Sequence, residues 1–102
     1  MSFSYIENAI EAWGYSKGIL GPNGFGTSEG QVLKTLEETN ELICAIQDNN
    51  REEIIDAIGD IGVTLLMQCV IQGVTFTQCL EAAYEVISKR KGKMVDGVFV
   101  KN

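Results

Sequence analysis

The stretch "EEIIDAIGDIGVTLLMQCVIQ", Glu52 to Gln72, contains no proline and constrains the fold more than any other part of the chain. Read at the helical period, Ile54, Ile58, Ile61 and Leu65 form one stripe. Glu53, Asp56 and Asp60 lie on the far side, which continues as Val63, Met67, Val70 and Ile71. A helix that is apolar nearly all round in its second half is buried on both sides. An acidic stripe that runs into an apolar one therefore starts at the edge of an interior. Carboxylates in such a place are costly unless paired or bound to a metal.

The rest of the chain offers three more helices to cover this one. The first spans about Ser4 to Tyr15, with Phe3, Ile6, Ile10 and Trp13 on one face. "KGILGPNGFGTS" follows, a loop with four glycines and the only proline. It lacks the GK[ST] of a phosphate-cradling P-loop. The second helix opens with Ser28-x-x-Gln31 as a capping box and runs to about Gln47. Asp48 to Asn50 is a turn, and Asn50-x-x-Glu53 caps the third helix, which runs to about Gln72. Gly73 and Thr75-x-x-Gln78 mark the next stop and start. The fourth helix is expected to end near Arg90 or Lys91, with Gly92 as its C′ residue. In the tail, Asp96-Gly97 between apolar residues predicts a tight hairpin. The expectation is one all-α domain over residues 1–102.

At 102 residues the chain is one small domain. A chain this short buries a modest share of its surface, so self-association would help it. No uninterrupted apolar run is long enough to span a bilayer. The N-terminus lacks the pattern of a signal peptide, so the expectation is a cytoplasmic protein with no membrane partner. Cys44, Cys69 and Cys79 have no CxxC spacing and read as reduced, buried, small apolar residues. Histidine is absent, which removes His general-base catalysis and most zinc and iron sites. A net charge of −6 argues against duplex nucleic acid as a partner. The charges are segregated. Eight of the 14 acids lie between Glu37 and Asp60, and four of the eight bases lie at Lys89, Arg90, Lys91 and Lys93. An acidic centre and a basic cluster together suit a metal and a polyanion.

On the second helix, Val32, Leu36, Ile43 and Ile46 cluster opposite Glu37, Glu38 and Glu41. Taken alone, that helix reads as amphipathic with a solvated acidic face. The third helix opens a second reading. The i, i+3 pair Glu38 and Glu41 and the i, i+4 pair Asp56 and Asp60 each share a helix face. Packed antiparallel, the two helices bring four or five carboxylates together, as helix bundles with metal centres do. Oxygen ligands alone select Mg²⁺ or Mn²⁺. Glu53 and Glu52 also have a local role at the start of the helix.

These residues resemble a known family. "QVLKTLEETNEL" looks like the EExxE helix of the MazG-like, all-α nucleotide pyrophosphohydrolases, and "EEIIDAIGDIGVTL" resembles their second acidic helix, ExxD. "AYEVISKRKGKMVDGVFVK" is similar in style to the short members from phages and Firmicutes. The resemblance implies a four-helix bundle completed by dimerisation or tetramerisation, with a short hairpin-like tail. It also implies Mg²⁺-dependent hydrolysis of nucleoside triphosphates to monophosphate and pyrophosphate. By position, Glu38 and Glu41 match the ExxE ligands, Glu37 the preceding acid (a ligand or water-orienting residue), and Asp60 the final aspartate. Where the family commonly has a glutamate three residues before that aspartate, this chain has Ala57. Asp56 substitutes from the adjacent position, or Glu53-x-x-Asp56 is the literal motif and Asp60 an additional ligand.

Lys89, Arg90, Lys91 and Lys93 are candidates to clamp phosphates, or simply complement a helix C-terminus. Lys34 touches a phosphate or pairs with Glu38 four residues on. Trp13 is the candidate base-stacking residue, with Met67, Phe76 and Tyr84 as lesser ones; each also suits a core. Two further classes compete with the enzyme. One is a non-catalytic nucleotide- or partner-binding module, motivated by Ala57. The other is a purely structural bundle.

Overall fold

A computed structural model describes residues 1–102, as four helices followed by a two-stranded hairpin. The helices are α1 (Phe3–Ser16), α2 (Ser28–Gln47), α3 (Arg51–Gln72) and α4 (Phe76–Ile87). The strands are β1 (Gly92–Val95) and β2 (Val98–Lys101). The all-α expectation with a hairpin tail holds.

Helix α3 is the hub: α1, α2 and α4 all pack on it. The three-residue turn after Gln47 folds α2 back on α3 as an antiparallel pair. Cross-links set the register. Gln68 Nε2 donates to the Ser28 carbonyl at 2.9 Å, and Gln72 Nε2 to Ser28 Oγ at 2.8 Å. Further along, the hydroxyls of Thr35 and Thr64 meet at 2.7 Å. Continued, this register sets Glu38 near Asp60 and Glu41 across from Ala57. At Gly14, α1 approaches so closely that a Cβ would come within 2.6 Å of the Met67 sulfur.

Most of the expected helix ends are found. Asn50 Oδ1 accepts from Glu53 N at 3.2 Å, Gly73 adopts φ 72°, and Thr75 and Gln78 form a reciprocal capping box. Two ends differ. Thr27, not Ser28, caps α2 by accepting from Gly30 N at 2.9 Å, because Ser28 is engaged by α3. Helix α4 stops at Ile87, where the chain tightens through i→i−3 bonds and peels away into β1. Gly92 is thus a strand residue pairing with Lys101, and a Cβ there would strike the Val100 carbonyl. The hairpin turn is as expected: Asp96 (φ 49°) and Gly97 (φ 85°) both take the left-handed region of a type I′ turn.

The faces are less as expected. On α3 the acid-bearing stripe starts exposed at Glu53 and Asp56 and turns inward from Asp60, ending at Met67, which is 1% exposed. The stripe of Ile54, Ile58, Ile61 and Leu65 is only partly covered, with Ile58 and Leu65 exposed. On α2 the apolar residues Val32, Leu36, Ile43 and Ile46 are all exposed, while Glu38 is buried. The solvated-acid reading of α2 therefore holds for Glu37 and Glu41, which are exposed, and fails for Glu38. The polar side of α2 makes the α3 contact and its apolar side is uncovered. Cys69 is buried, but Cys44 and Cys79 are exposed, so the thiols are free without all being core residues. Burial, with the Cys79 thiol beside it, pushes the Cys69 thiol up. By length and composition α3 also qualifies to cross a membrane, though any such span contains both Asp56 and Asp60. Its place as the hub of three helices accounts for the buried Leu66, Met67 and Cys69, not for the exposed Ile55 and Ile58.

Candidate metal centre and nucleotide pocket

The α2–α3 register brings Glu38, Glu41 and Asp60 together, with one carboxylate oxygen of each within 4.8 Å of the others. Glu38 is 6% exposed, Asp60 half-buried and Glu41 exposed. Lys34, a turn before Glu38, lies 3.1 Å from Glu37 and 3.6 Å from Glu38. It therefore binds both glutamates, the nearer being Glu37 and not the Glu38 expected. Glu38 Oε2 is buried and has no hydrogen-bond partner. Such an atom is costly to leave unpaired.

The electrostatics agree. The Glu38 carboxyl is raised above its ordinary value by the facing Glu41 carboxyl and then by burial, with Lys34 opposing. Asp60 is raised by burial, then by Asp56 and Glu38. Lys34 is raised in turn by Glu37 and Glu38. Three carboxylates thus crowd one locus with a single lysine to offset them.

A divalent cation fits this donor set. It is all oxygen and all carboxylate, as hard cations require. The unpartnered Glu38 Oε2 supplies a lone pair that nothing in the chain uses. The other two acids proposed as ligands, Asp56 and Glu53, are exposed and line a neighbouring cavity of about 510 Å³. Glu37, Glu41 and Ala57 line it too. The register of the second motif is thereby narrowed: Asp60 completes the triad, and Asp56 acts on it from beside. Glu53 sits in the first turn of α3 with its N–H on Asn50, which suits a helix-end role.

On the other side of the triad lies a cavity of about 450 Å³. Glu38, Asp60 and Lys34 line it together with Trp13, Ile19, Phe25 and Met67. Trp13 is thus brought to the acidic site from α1. Met67 serves both as core and as pocket wall. Phe76 instead packs on Phe3, with ring centroids 6.3 Å apart, and Tyr84 is exposed; neither lines this pocket. Phe25, Thr27, Gln31 and Thr64 also line it and were not among the sequence candidates. Phe25 had one available signal, as the sole aromatic in the glycine-rich loop.

The basic cluster is not brought to the site. Lys89 pairs with Glu85 at 2.8 Å, and the hairpin bearing Lys93 packs against no helix of its own chain. Because α4 ends early, Arg90 and Lys91 lie on the connection to β1. Within one protomer Lys34 is the cation at the acids.

Two antiparallel helices that set an ExxE pair against an aspartate define the MazG-like, all-α nucleotide pyrophosphohydrolases. Residues 27–89 match the phosphoribosyl-ATP pyrophosphohydrolase family of that superfamily, and the chain belongs to it. No curated protein and no solved structure matches the chain. Members of this family are hydrolases of phosphoanhydride bonds in nucleotide substrates.

A pH dependence follows from the raised carboxyls. An acid whose value is raised in the fold adds stability when protonated, and that stability is lost as pH rises through the raised value. The window lies above the ordinary values of 4.5 for Glu38 and 3.8 for Asp60. The metal-free protein should therefore melt higher as pH falls from neutral into that window. The increment given by Mg²⁺ should shrink in parallel, because protons and cation compete for the same oxygens. Thermal melts with Mg²⁺ and with chelator across this range check both; a Mg²⁺ increment independent of pH would contradict the shared locus.

Proposed function

We propose that this chain is a divalent-cation-dependent pyrophosphohydrolase that cleaves (deoxy)nucleoside triphosphates to monophosphate and pyrophosphate, serving nucleotide-pool house-cleaning. The observation that carries the reading is the orphaned oxygen of Glu38 in a three-carboxylate cluster that opens into a pocket about 450 Å³ in volume. Glu38, Glu41 and Asp60 would hold Mg²⁺, with Mn²⁺ as the alternative. When bound, the cation supplies neutralisation of phosphate charge and acidification of water.

The side chains then divide the work. Lys34, charged and held at the pocket by Glu37 and Glu38, offers an ammonium to phosphate oxygens. Water forms the new P–O bond, pyrophosphate leaves, and the water proton passes to a carboxylate outside the triad. Glu37 takes that role, oriented by Lys34 at 3.1 Å, with Asp56 as a further acid on the same cavity wall. Trp13 stacks on the base at the apolar end of the pocket.

We also propose that the working form is a homodimer or homotetramer in which Lys89, Arg90, Lys91 and Lys93 reach the phosphates at a partner's site. Two features support this: the hairpin makes no contact with its own helices, and the site has only Lys34 to meet a triphosphate.

The test is a panel of NTPs and dNTPs, with phosphoribosyl-ATP because the family's description names it, incubated with purified protein and Mg²⁺ or Mn²⁺. Release of pyrophosphate with the matching monophosphate is expected for at least one. Tight nucleotide binding without turnover would instead assign a binding module, the role that Ala57 motivates.

A further inference from the structure

The loop between α1 and α2 is tightly folded. Phe25 N donates to the Gly18 carbonyl and Gly26 N to the Ile19 carbonyl, each at 2.9 Å. Gly24 N closes the tip on Gly21 at 2.9 Å. Gly18 and Gly21 take φ 79° and 101°, and a Cβ at Gly24 would come within 2.6 Å of the Leu20 backbone. This pinned backbone holds Phe25 out, 90% exposed, on the rim of the pocket that contains Trp13. Phe3 with Phe76 is the only ring pair in the chain, so neither pocket ring is stacked on another ring. A large apolar side chain held in water by a braced loop gains burial when a ligand fills the pocket.

Gln31 belongs to the same wall and is half-buried. Its backbone carbonyl accepts from Thr35 at 3.0 Å, but its carboxamide takes no partner within the chain. Gln68 and Gln72, by contrast, spend their amides on Ser28. A free carboxamide offers one donor face and one acceptor face, the complement of a nucleobase edge.

Resting on the nucleotide reading above, we propose that Phe25 and Gln31 are specificity-determining residues: Phe25 closes on the face of the base as a second stacking surface, and Gln31 pairs with its edge. The polar end of the cavity takes the phosphates at Glu38 and Asp60, so the base must lie toward Trp13, Ile19 and Phe25. Stacking on an aromatic ring is worth roughly five- to a hundredfold in affinity.

Trp13 is the chain's only tryptophan, so its fluorescence reports the pocket without requiring turnover. The full-length protein in Mg²⁺ is titrated with each nucleoside 5′-monophosphate, and with ribose 5-phosphate as the base-free control. At least one nucleotide should quench Trp13, and ribose 5-phosphate should not. Phe25→Ala should weaken that binding tenfold or more, while Phe25→Tyr stays within threefold. Gln31→Leu should reduce the preference for the best base over the next at least fivefold. The Mg²⁺-dependent rise in melting temperature should be unchanged in all three variants, which shows that they fold and keep the metal locus. Equal nucleotide affinity in wild type and Phe25→Ala, no quenching by any nucleotide, or equal quenching by ribose 5-phosphate would overturn the proposal. Quenching lost in Phe25→Ala, without pyrophosphate release from any triphosphate by the wild type, would leave this inference standing and sink the hydrolase reading. Pyrophosphate release with base preference and KM unchanged in Phe25→Ala would do the reverse.

Discussion

Glu38→Gln is expected to remove pyrophosphate release by roughly a thousandfold, without lowering the melting temperature of the metal-free protein. The first part follows from the magnitude of metal catalysis. A cation on the phosphates contributes several kcal/mol to the transition state, and about 1.4 kcal/mol is a factor of ten. Glu38 is the buried member of the triad and the only one with an orphaned oxygen, so no neighbour replaces it. The second part follows from the charges it faces. The Glu41 carboxyl and burial both raise the Glu38 carboxyl, so its ionised form works against folding when no cation is present. An ordinary buried side chain shows the opposite pattern, losing stability with every truncation. Glu52→Gln is the control: it is exposed, in the first turn of α3, and lines neither cavity. Retention of a tenth or more of the activity by Glu38→Gln would place the metal elsewhere. A large drop in the metal-free melting temperature would make Glu38 a structural residue.

How much of this was written in the sequence depends on the kind of signal. Caps and turns are local, and Asn50, Gly73, Thr75–Gln78 and Asp96-Gly97 were readable because three or four residues decide each. Ser28 was misread for a non-local reason: Gln68 and Gln72, forty and more positions away, claim it. Of the α3 acids, Asp60 was placed correctly because its stripe continues as Val63 and Met67, whereas Glu53 and Asp56, nearer the helix start, stay exposed. On α2 the wheel placed Glu37 and Glu41 in solvent but missed the burial of Glu38, since it reports which face is apolar and not which face meets a neighbour. The choice among Glu53, Asp56 and Asp60 needed the antiparallel register, a relation between helices that neither contains alone. Phe25 and Gln31 fall outside periodicity altogether: one is on a loop, and the other is in a first turn whose amide could serve a cap. The charge cluster at Lys89 to Lys93 was legible as composition, yet its position turns on where α4 stops.

The apolar stripe of α2 leads to the second large effect, self-association. The protomer exposes 7698 Å², whereas a compact monomer of 11.2 kDa exposes about 5,700 Å². Only nine of 102 residues are buried. The excess of about 2,000 Å² per chain is the area that an obligate interface would cover, which motivates the expectation. Leu36 and Ile43, seven residues apart, are both exposed on the outer face of α2. Light scattering coupled to gel filtration should give at least twice the chain mass, with a melting temperature that rises with protein concentration. Leu36→Asp combined with Ile43→Asp should shift the mass to the monomer or abolish the cooperative melt, since two charges would have to be desolvated at each copy of the contact. Activity should fall with the assembly even though neither residue lines the metal locus or the pocket, because Lys89, Arg90, Lys91 and Lys93 meet no acid of that site in their own chain. A wild-type monomer that hydrolyses nucleotide at full rate would separate the two, leaving Lys34 as the sole phosphate cation and the outer face of α2 without a role in catalysis.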